Sequence, residues 1–314
     1  MSERLAVFDL GSNAVRLILA TVTPGVDFRV LRQERVQTRL AGHRRGLLPR
    51  AGVEQTLKAV SRFLAEVRQG SSPRVLAVAT AAIRDAPNAD RLLASLRRDE
   101  GVKVRVLSGL EEARLGAAAV LWRRPLDRGA IVDLGGGSLQ VTRVRAGRIV
   151  RVASVPLGAV RTTLRFLRHD PPRAREIQTL RRETRDRLLG VLPRAHPGDA
   201  LIGLGGSLRA LGRVFLKSID RNGATPHWLR LRREEIAGLR ARLEPLTVRQ
   251  RRRVRGLKAE RADVIVAGAV VIEELMTLGG YEILTVCDEG VRHGLLLQET
   301  FRGASSAHKS ASGS

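Results

Sequence analysis

The sequence predicts an α/β protein of two similar lobes. Three observations carry that prediction. A strand–turn–strand unit, with an acid at the strand end and glycine in the turn, occurs twice: Asp9-Leu-Gly-Ser-Asn13 and Asp133-Leu-Gly-Gly-Gly-Ser138. Short apolar runs alternate with longer segments whose apolar residues recur at helical spacing. The length, 314 residues, suits two domains of about 100–200 residues each. A repeat that opens both halves implies two similar lobes facing a common cleft.

The first half reads as strands at 5–10, 15–22 and 28–35, then a basic, glycine-containing loop from Thr38 to Arg50. Val53, Leu57, Val60, Phe63, Leu64 and Val67 mark an amphipathic helix over 53–69. A strand at 75–79, a helix at 88–98, a strand at 103–107 and a helix at 110–122 follow. The run from Trp122 to Gly129 breaks the pattern, so the domains are expected at 1–124 and 125–302, with a disordered Ser/Ala/Gly tail over 303–314. The last helix is a candidate to pack back on the first lobe. The second half has strands at 130–133, 139–144 and 149–155, with further buried strands at 201–202 and 283–286. Its helices are expected at 159–168, 173–193, 207–217, 233–244, 259–278 and 290–300.

Composition bounds the function. Lys and Arg number 56 against 31 Asp and Glu, a net charge of +25. Such a surplus either meets a polyanion or is solvated surface composition. The cations are nearly all arginine, which suits bidentate phosphate contact. Aromatic residues are 3% of the chain, which argues against binding single-stranded nucleic acid by base stacking; nucleic acid is not the expected partner. Cys287 is the single cysteine, so no internal disulfide forms. No run approaches the roughly 18 apolar residues that span a bilayer, and residues 1–20 lack the apolar core of a signal peptide. These features lead to the expectation of a soluble cytoplasmic protein without a membrane partner. A homodimer is compatible with all of them.

Glycine turns let several backbone N–H groups converge on one space with no Cβ in the way. Gly135, Gly136 and Gly137 offer such a nest, and Ser12, Asn13 and Ser138 add side-chain donors; Arg16 beside the first turn adds charge. Asp9 and Asp133 stand at strand ends, where either can hold a divalent metal or its waters. Two such loops would grip one phosphate group from both sides. A third turn, Gly203-Leu-Gly-Gly-Ser207, runs into a helix. Gly206 and Ser207 are candidates for phosphate at the helix N-terminus, and capping by Ser207 explains the turn equally well. Glu111 falls in the first turn of the 110–122 helix, where an acid pairs with the helix dipole.

The two aspartate–glycine loops resemble the phosphate loops of the acetate kinase, sugar kinase, Hsp70 and actin superfamily, which has a ribonuclease H-like fold. More narrowly, the chain resembles the exopolyphosphatase and guanosine-pentaphosphate phosphohydrolase (Ppx/GppA) family. Collinear stretches that carry the resemblance are Ala79-Thr-Ala-Ala-Ile-Arg-Asp-Ala86, Ser108-Gly-Leu-Glu-Glu-Ala-Arg114, Gly203-Leu-Gly-Gly-Ser207, Glu260-Arg-Ala-Asp-Val-Ile265 and Asp288-Glu-Gly-Val-Arg-His-Gly294. The resemblance implies actin-like lobes and removal of the terminal phosphate of polyphosphate or of guanosine pentaphosphate. It also implies a magnesium or manganese cofactor, with a monovalent cation as a further possibility. Glu112 matches the family's catalytic glutamate, the general base for an in-line water attack. Arg84 matches an arginine near the substrate, and Asp133 would help place the metal. The family usually has a metal-holding glutamate seven residues after that aspartate; here Gln140 stands there, which predicts weaker metal binding. The chain looks like a short, two-domain member without a C-terminal HD-type domain. Alternatives are a catalytically weak polyphosphate-binding protein, of which Gln140 would be the signature, and a kinase of the same superfamily, against which the Glu-Glu-Ala-Arg segment speaks.

Overall fold

The computed structural model describes residues 2–41, 46–69 and 72–302. The expected disordered tail lies outside them. In chain order the first elements are β1 (Glu3–Leu10), β2 (Ala14–Thr23), β3 (Asp27–Gln37), α1 (Arg50–Arg68), β4 (Arg74–Ala79), α2 (Ala81–Arg84), α3 (Ala89–Glu100) and β5 (Val104–Val106). Then come α4 (Gly109–Arg123), β6 (Arg128–Leu134), β7 (Leu139–Arg145), β8 (Arg148–Val155), α5 (Ala159–Phe166), α6 (Ala174–Leu188), β9 (Ala200–Leu204) and α7 (Gly206–Ser218). β10 (Arg230–Arg232), α8 (Arg233–Leu243), α9 (Val248–Arg251), α10 (Ile265–Gly279), β11 (Ile283–Val286) and α11 (Val291–Thr300) complete the fold.

The chain forms two compact units, one reaching Ser108 and resuming at Val291, the other Gly109–Gly290. The first has a five-stranded sheet in the order β3-β2-β1-β4-β5. β1, β2 and β3 are antiparallel, whereas β4 runs parallel to β1 and β5 parallel to β4. Phe8 and Leu10 of β1, Leu17 of β2 and Phe63 and Leu64 of α1 are buried in one core. α11 packs on β1, β2 and β3. The second unit has a six-stranded sheet in the order β10-β11-β9-β6-β7-β8. Here β6, β7 and β8 are antiparallel while β9 and β11 run parallel to β6. Each unit thus repeats a meander followed by parallel strands. In such sheets ligands gather at the carboxyl ends of the parallel strands.

The division between the units differs from the expected 124/125 boundary. It falls after Ser108, so α4 belongs with the second unit. The Trp122–Gly129 break ends a helix without ending a unit. Ala117 and Val120 of α4 are buried with Ile131, Val144 and Ile202, and that packing decides which unit the helix joins. α2, α9 and β10, each of three or four residues, were not foreseen; they are too short to show a period. The helix expected over 259–278 starts at Ile265, after a 3-10 turn at Ala259–Arg261.

α10 is apolar almost all round and buried along most of its length, as a central helix should be. Its Glu273 and Glu274 are buried and held by ion pairs. Arg181 of α6 reaches both, at 2.9 and 3.0 Å. Arg185 reaches Glu274 at 2.6 Å, and Arg240 of α8 also pairs with Glu273. A lone buried carboxylate would be costly; shared guanidinium forks offset that cost. No helix among the described residues is long and apolar enough to cross a membrane. Arg181→Met should lower unfolding free energy by about 1.5–3 kcal/mol, the range for hydrogen bonds to charged groups, because each glutamate keeps its second arginine. Urea unfolding followed by circular dichroism measures it.

Candidate active site

The repeated hairpins fold to the same register. Leu10 pairs with Val15 and Leu134 with Leu139. Each turn is closed by one bond, Gly11 N–H to the Ala14 carbonyl at 3.1 Å and Gly135 N–H to the Ser138 carbonyl at 3.0 Å. Ser138 therefore occupies the place of Ala14.

Other chain segments draw the carbonyls of both turns away. In the first turn, Thr38 and Arg39 N–H donate to the Asn13 carbonyl and Ala41 N–H to that of Ser12. In the second, Ala159 N–H donates to the Gly135 carbonyl, and Val160 and Arg161 N–H to that of Gly136, at 2.9–3.0 Å. These last donors are the otherwise unsatisfied first amides of α5. The amides of Gly136, Gly137 and Ser138 donate to no backbone carbonyl among the described residues outside regular helix and strand bonds. Three successive amides without backbone acceptors are the candidates for an anion nest. The close approach requires Gly158, since a Cβ there would lie 2.3 Å from the Gly137 carbonyl carbon.

The acids at the two strand ends have different partners. Asp9 is buried, and its carboxylate accepts from Arg16 Nη1 at 2.9 Å across the β1–β2 pair. Asp9 is thereby paired with a guanidinium, which disfavours it as a metal ligand, while Arg16 Nε is buried with no hydrogen-bond partner among the described residues. In the second unit, Asp133 stands opposite Gln140, in the place that Arg16 holds in the first. Gln140 is 3% exposed. Its amide donates to Ser138 Oγ at 2.6 Å and, at a longer 3.4 Å, to Ser154 Oγ. Among the described residues, no cluster of three or more His, Cys, Asp or Glu could hold a metal. The donor set here is one carboxylate and one amide, and the amide nitrogen is turned to serine. That set fits a magnesium-like ion only when phosphate oxygens and water complete its shell.

Asp133 sits between α4 and the third glycine turn. A Cβ on Gly205 would be 3.1 Å from its Oδ1, and one on Gly116 would be 3.8 Å from its Oδ2. Glu112 lies one turn before Gly116, so both share a face of α4. Glu112 is 7% exposed. The structure therefore gathers Glu112, Asp133, the Gly135–Ser138 nest and the Gly205–Gly206 turn in the second unit. Arg261 joins them: a Cβ on Gly206 would meet its Nη2 at 2.0 Å. Arg261 was not singled out from the sequence, although it stands in the quoted Glu-Arg-Ala-Asp stretch, because nothing local marks an arginine of a 3-10 turn as facing a glycine 55 positions earlier.

Ser207 does not cap α7. The N-cap of α7 is Gly205, with φ +106°. Ser207 lies inside the helix, its hydroxyl turned to α10, where a Cβ on Gly268 would lie 3.0 Å from it. In the first unit, Ser12, Asn13 and Arg84 gather at the carboxyl ends of the parallel strands. Asn13 Oδ1 accepts from Gln37 at 3.3 Å, and its Nδ2 is buried without a partner among the described residues. Arg84 Nη1 donates to the Leu107 carbonyl at 2.8 Å.

A family model described as the Ppx/GppA phosphatase family matches residues 18–302. The chain belongs to that family. It is 30% identical over 310 residues to an exopolyphosphatase 1 of Mycobacterium leprae, covering 94% of this chain and 89% of that protein. It is 31% identical over 318 residues to an exopolyphosphatase 2 of Mycobacterium tuberculosis, covering 94% and 98%. A crystal structure of the Aquifex aeolicus Ppx/GppA family member superposes with a TM-score of 0.78 at 26% identity, covering 99% of both chains. A Cytophaga hutchinsonii exopolyphosphatase, at 23% identity, shares the fold with a TM-score of 0.85 over 95% of this chain and 98% of that one. The protein is thus a phosphatase, a hydrolase by class, on the expected pair of actin-like α/β units.

Gly158→Ala tests the backing of the nest. The new methyl must push α5 off the Gly135–Ser138 turn. Stability should fall by about 1–3 kcal/mol, as for an overpacked core. Phosphate release, the family's reaction, should fall by on the order of 10²-fold from the misplaced turn. Thermal unfolding and phosphate release on one preparation measure both.

Proposed function

We propose that this phosphatase is an exopolyphosphatase, releasing the terminal phosphate of inorganic polyphosphate with Glu112 as general base. The observation that carries the reading is the placement of buried Glu112 on the α4 face whose Gly116 abuts the carboxylate of Asp133, the strand-end acid from which the Gly135–Ser138 turn departs. The similarity to two mycobacterial exopolyphosphatases supports the substrate class.

In this reading the nest amides and Ser138 hold the non-bridging oxygens of the terminal phosphate. Gln140 donates to Ser138 Oγ, so the hydroxyl proton is left for a phosphate oxygen. Arg261 adds positive charge at the Gly206 turn. Glu112 takes a proton from water as the water oxygen bonds to the terminal phosphorus. The bridging P–O bond breaks, and its electrons leave on the shortened chain. A magnesium or manganese ion held by Asp133 and substrate oxygens would supply charge neutralisation at the phosphates. Glu112→Gln should lower kcat by at least about 10²-fold, the scale of general-base catalysis, with polyphosphate binding retained. Phosphate release from polyphosphate, guanosine pentaphosphate and ATP in parallel checks it. Near-normal rates in the variant would remove Glu112 from the role, and faster release from guanosine pentaphosphate would reassign the substrate.

A second reading, a polyphosphate-binding protein of weak turnover, is favoured by Gln140 itself. An amide turned to two serines brings no charge to the Asp133 site. Gln140→Glu should lower the magnesium concentration needed for half-maximal phosphate release. A wild type inactive at every metal concentration, with turnover appearing in the variant, would make the binding reading correct. An unchanged magnesium dependence would separate position 140 from the metal.

A further inference from the structure

The third glycine turn leads into a helix that carries a row of cations and no acid. α7 bears Arg209, Arg213 and Lys217 at intervals of four, so they follow one another along one face. Arg209 is in the first turn after Gly205. Lys217 lies about 12 Å further, at 1.5 Å rise per residue. The row is partly buried at its start. Arg213 Nε is buried and has no hydrogen-bond partner among the described residues. Burial pulls the Arg213 guanidinium below its ordinary value, and the neighbouring charge of Arg209 adds to this, with Asp288 opposing. Asp288 is also the carboxylate that Arg209 approaches, at 3.6 Å. At the far end, Lys217 Nζ donates to neutral Asn222 at 2.7 Å.

A second basic segment lies against the same helix. Gly256, with φ +86°, fits so closely that a Cβ there would be 2.6 Å from the Arg213 carbonyl oxygen. It is flanked by exposed Arg255 and Lys258. Two half-buried guanidinium groups side by side repel each other, and that cost is relieved by an anion bound between them. A single phosphate would use one pair. A row that runs along the helix from the Gly205–Gly206 turn suits an extended polyanion.

We propose that the Arg209–Arg213–Lys217 face of α7 is a track for the internal phosphates of a condensed phosphate chain whose end lies at the Gly135–Ser138 nest. The proposal rests on the exopolyphosphatase reading for the identity of the chain. It adds that preference for long over short chains resides on α7. One helical turn, about 5.4 Å, spans more than one phosphorus of such a chain, so three cations contact it at intervals while it runs on.

The experiment compares wild type, Lys217→Glu and the triple variant Arg209→Gln/Arg213→Gln/Lys217→Glu. Long polyphosphate and tripolyphosphate are the probes. Direct binding and phosphate release are measured across a salt series, and melting curves report folding. The triple variant should raise Kd and KM for the long chain by about tenfold or more, with a shallower salt dependence of binding. The values for tripolyphosphate should change by less than about twofold, with kcat unaltered, because the terminal-phosphate site is intact. Lys217→Glu, at the far end of the row, should show the same selective weakening to a smaller extent and decides the matter if the triple variant melts early. Wild type that binds long chains through α7 but releases no phosphate would refute the hydrolase reading and keep the track. Equal weakening for both probes, unchanged long-chain binding in a folded variant, or no long-chain binding by wild type would overturn the track.

Discussion

The candidate site depends on where the carbonyl groups of two short turns point. A peptide plane that turns its C=O one way presents its N–H the other way. At Gly135 and Gly136 the carbonyls are drawn onto the first amides of α5; at Ser12 and Asn13 they are drawn onto residues 38–41. The backing segments differ, a helix in one unit and the irregular chain that follows β3 in the other, yet the effect is the same. Each solves two problems at once, since the α5 amides would otherwise lack acceptors. Gly158 is the residue that permits the approach in the second unit.

The duplication also shows how two copies diverge electrostatically. The position seven residues after the strand-end acid is Arg16 in the first unit and Gln140 in the second. Arg16 neutralises Asp9 directly. Gln140 brings no charge and orients Ser138 instead. The two strand-end aspartates therefore differ in their cross-strand neighbour, a guanidinium for Asp9 and a neutral amide for Asp133.

The positive surplus is not one thing. Arg181, Arg185 and Arg240 serve the interior, satisfying two glutamates of the central helix. Arg74 pairs with Glu3 and with Glu299 of α11, and so ties the last helix to the unit at the start of the chain. The two arginines of α7 differ because they lie close enough for the charge of one to act on the other, and Arg213 Nε is buried with no hydrogen-bond partner among the described residues. Net charge alone does not separate these roles; the partner of each guanidinium does.

The amino-acid sequence by itself determined the α/β class, the repeated strand–turn–strand units and most helices, because alternation and helical spacing are local signals. It also placed Glu112 and the Asp133–Ser138 loop on the right elements, through motifs continuous in the chain. Tertiary structure decided what contiguity does not carry. The apolar residues of α4 look the same whichever sheet they cover, so only packing on β6–β8 assigned that helix, and with it Glu112, to the second unit. Ser207 reads as a helix cap until the fold gives that place to Gly205. Arg261 reads as one arginine among many until its guanidinium meets Gly206. Asp9 reads as the twin of Asp133 until Arg16 closes on it. In each case the deciding contact joins groups brought together by the fold, and a backbone pattern holds no record of which side chain occupies a neighbour's last free face.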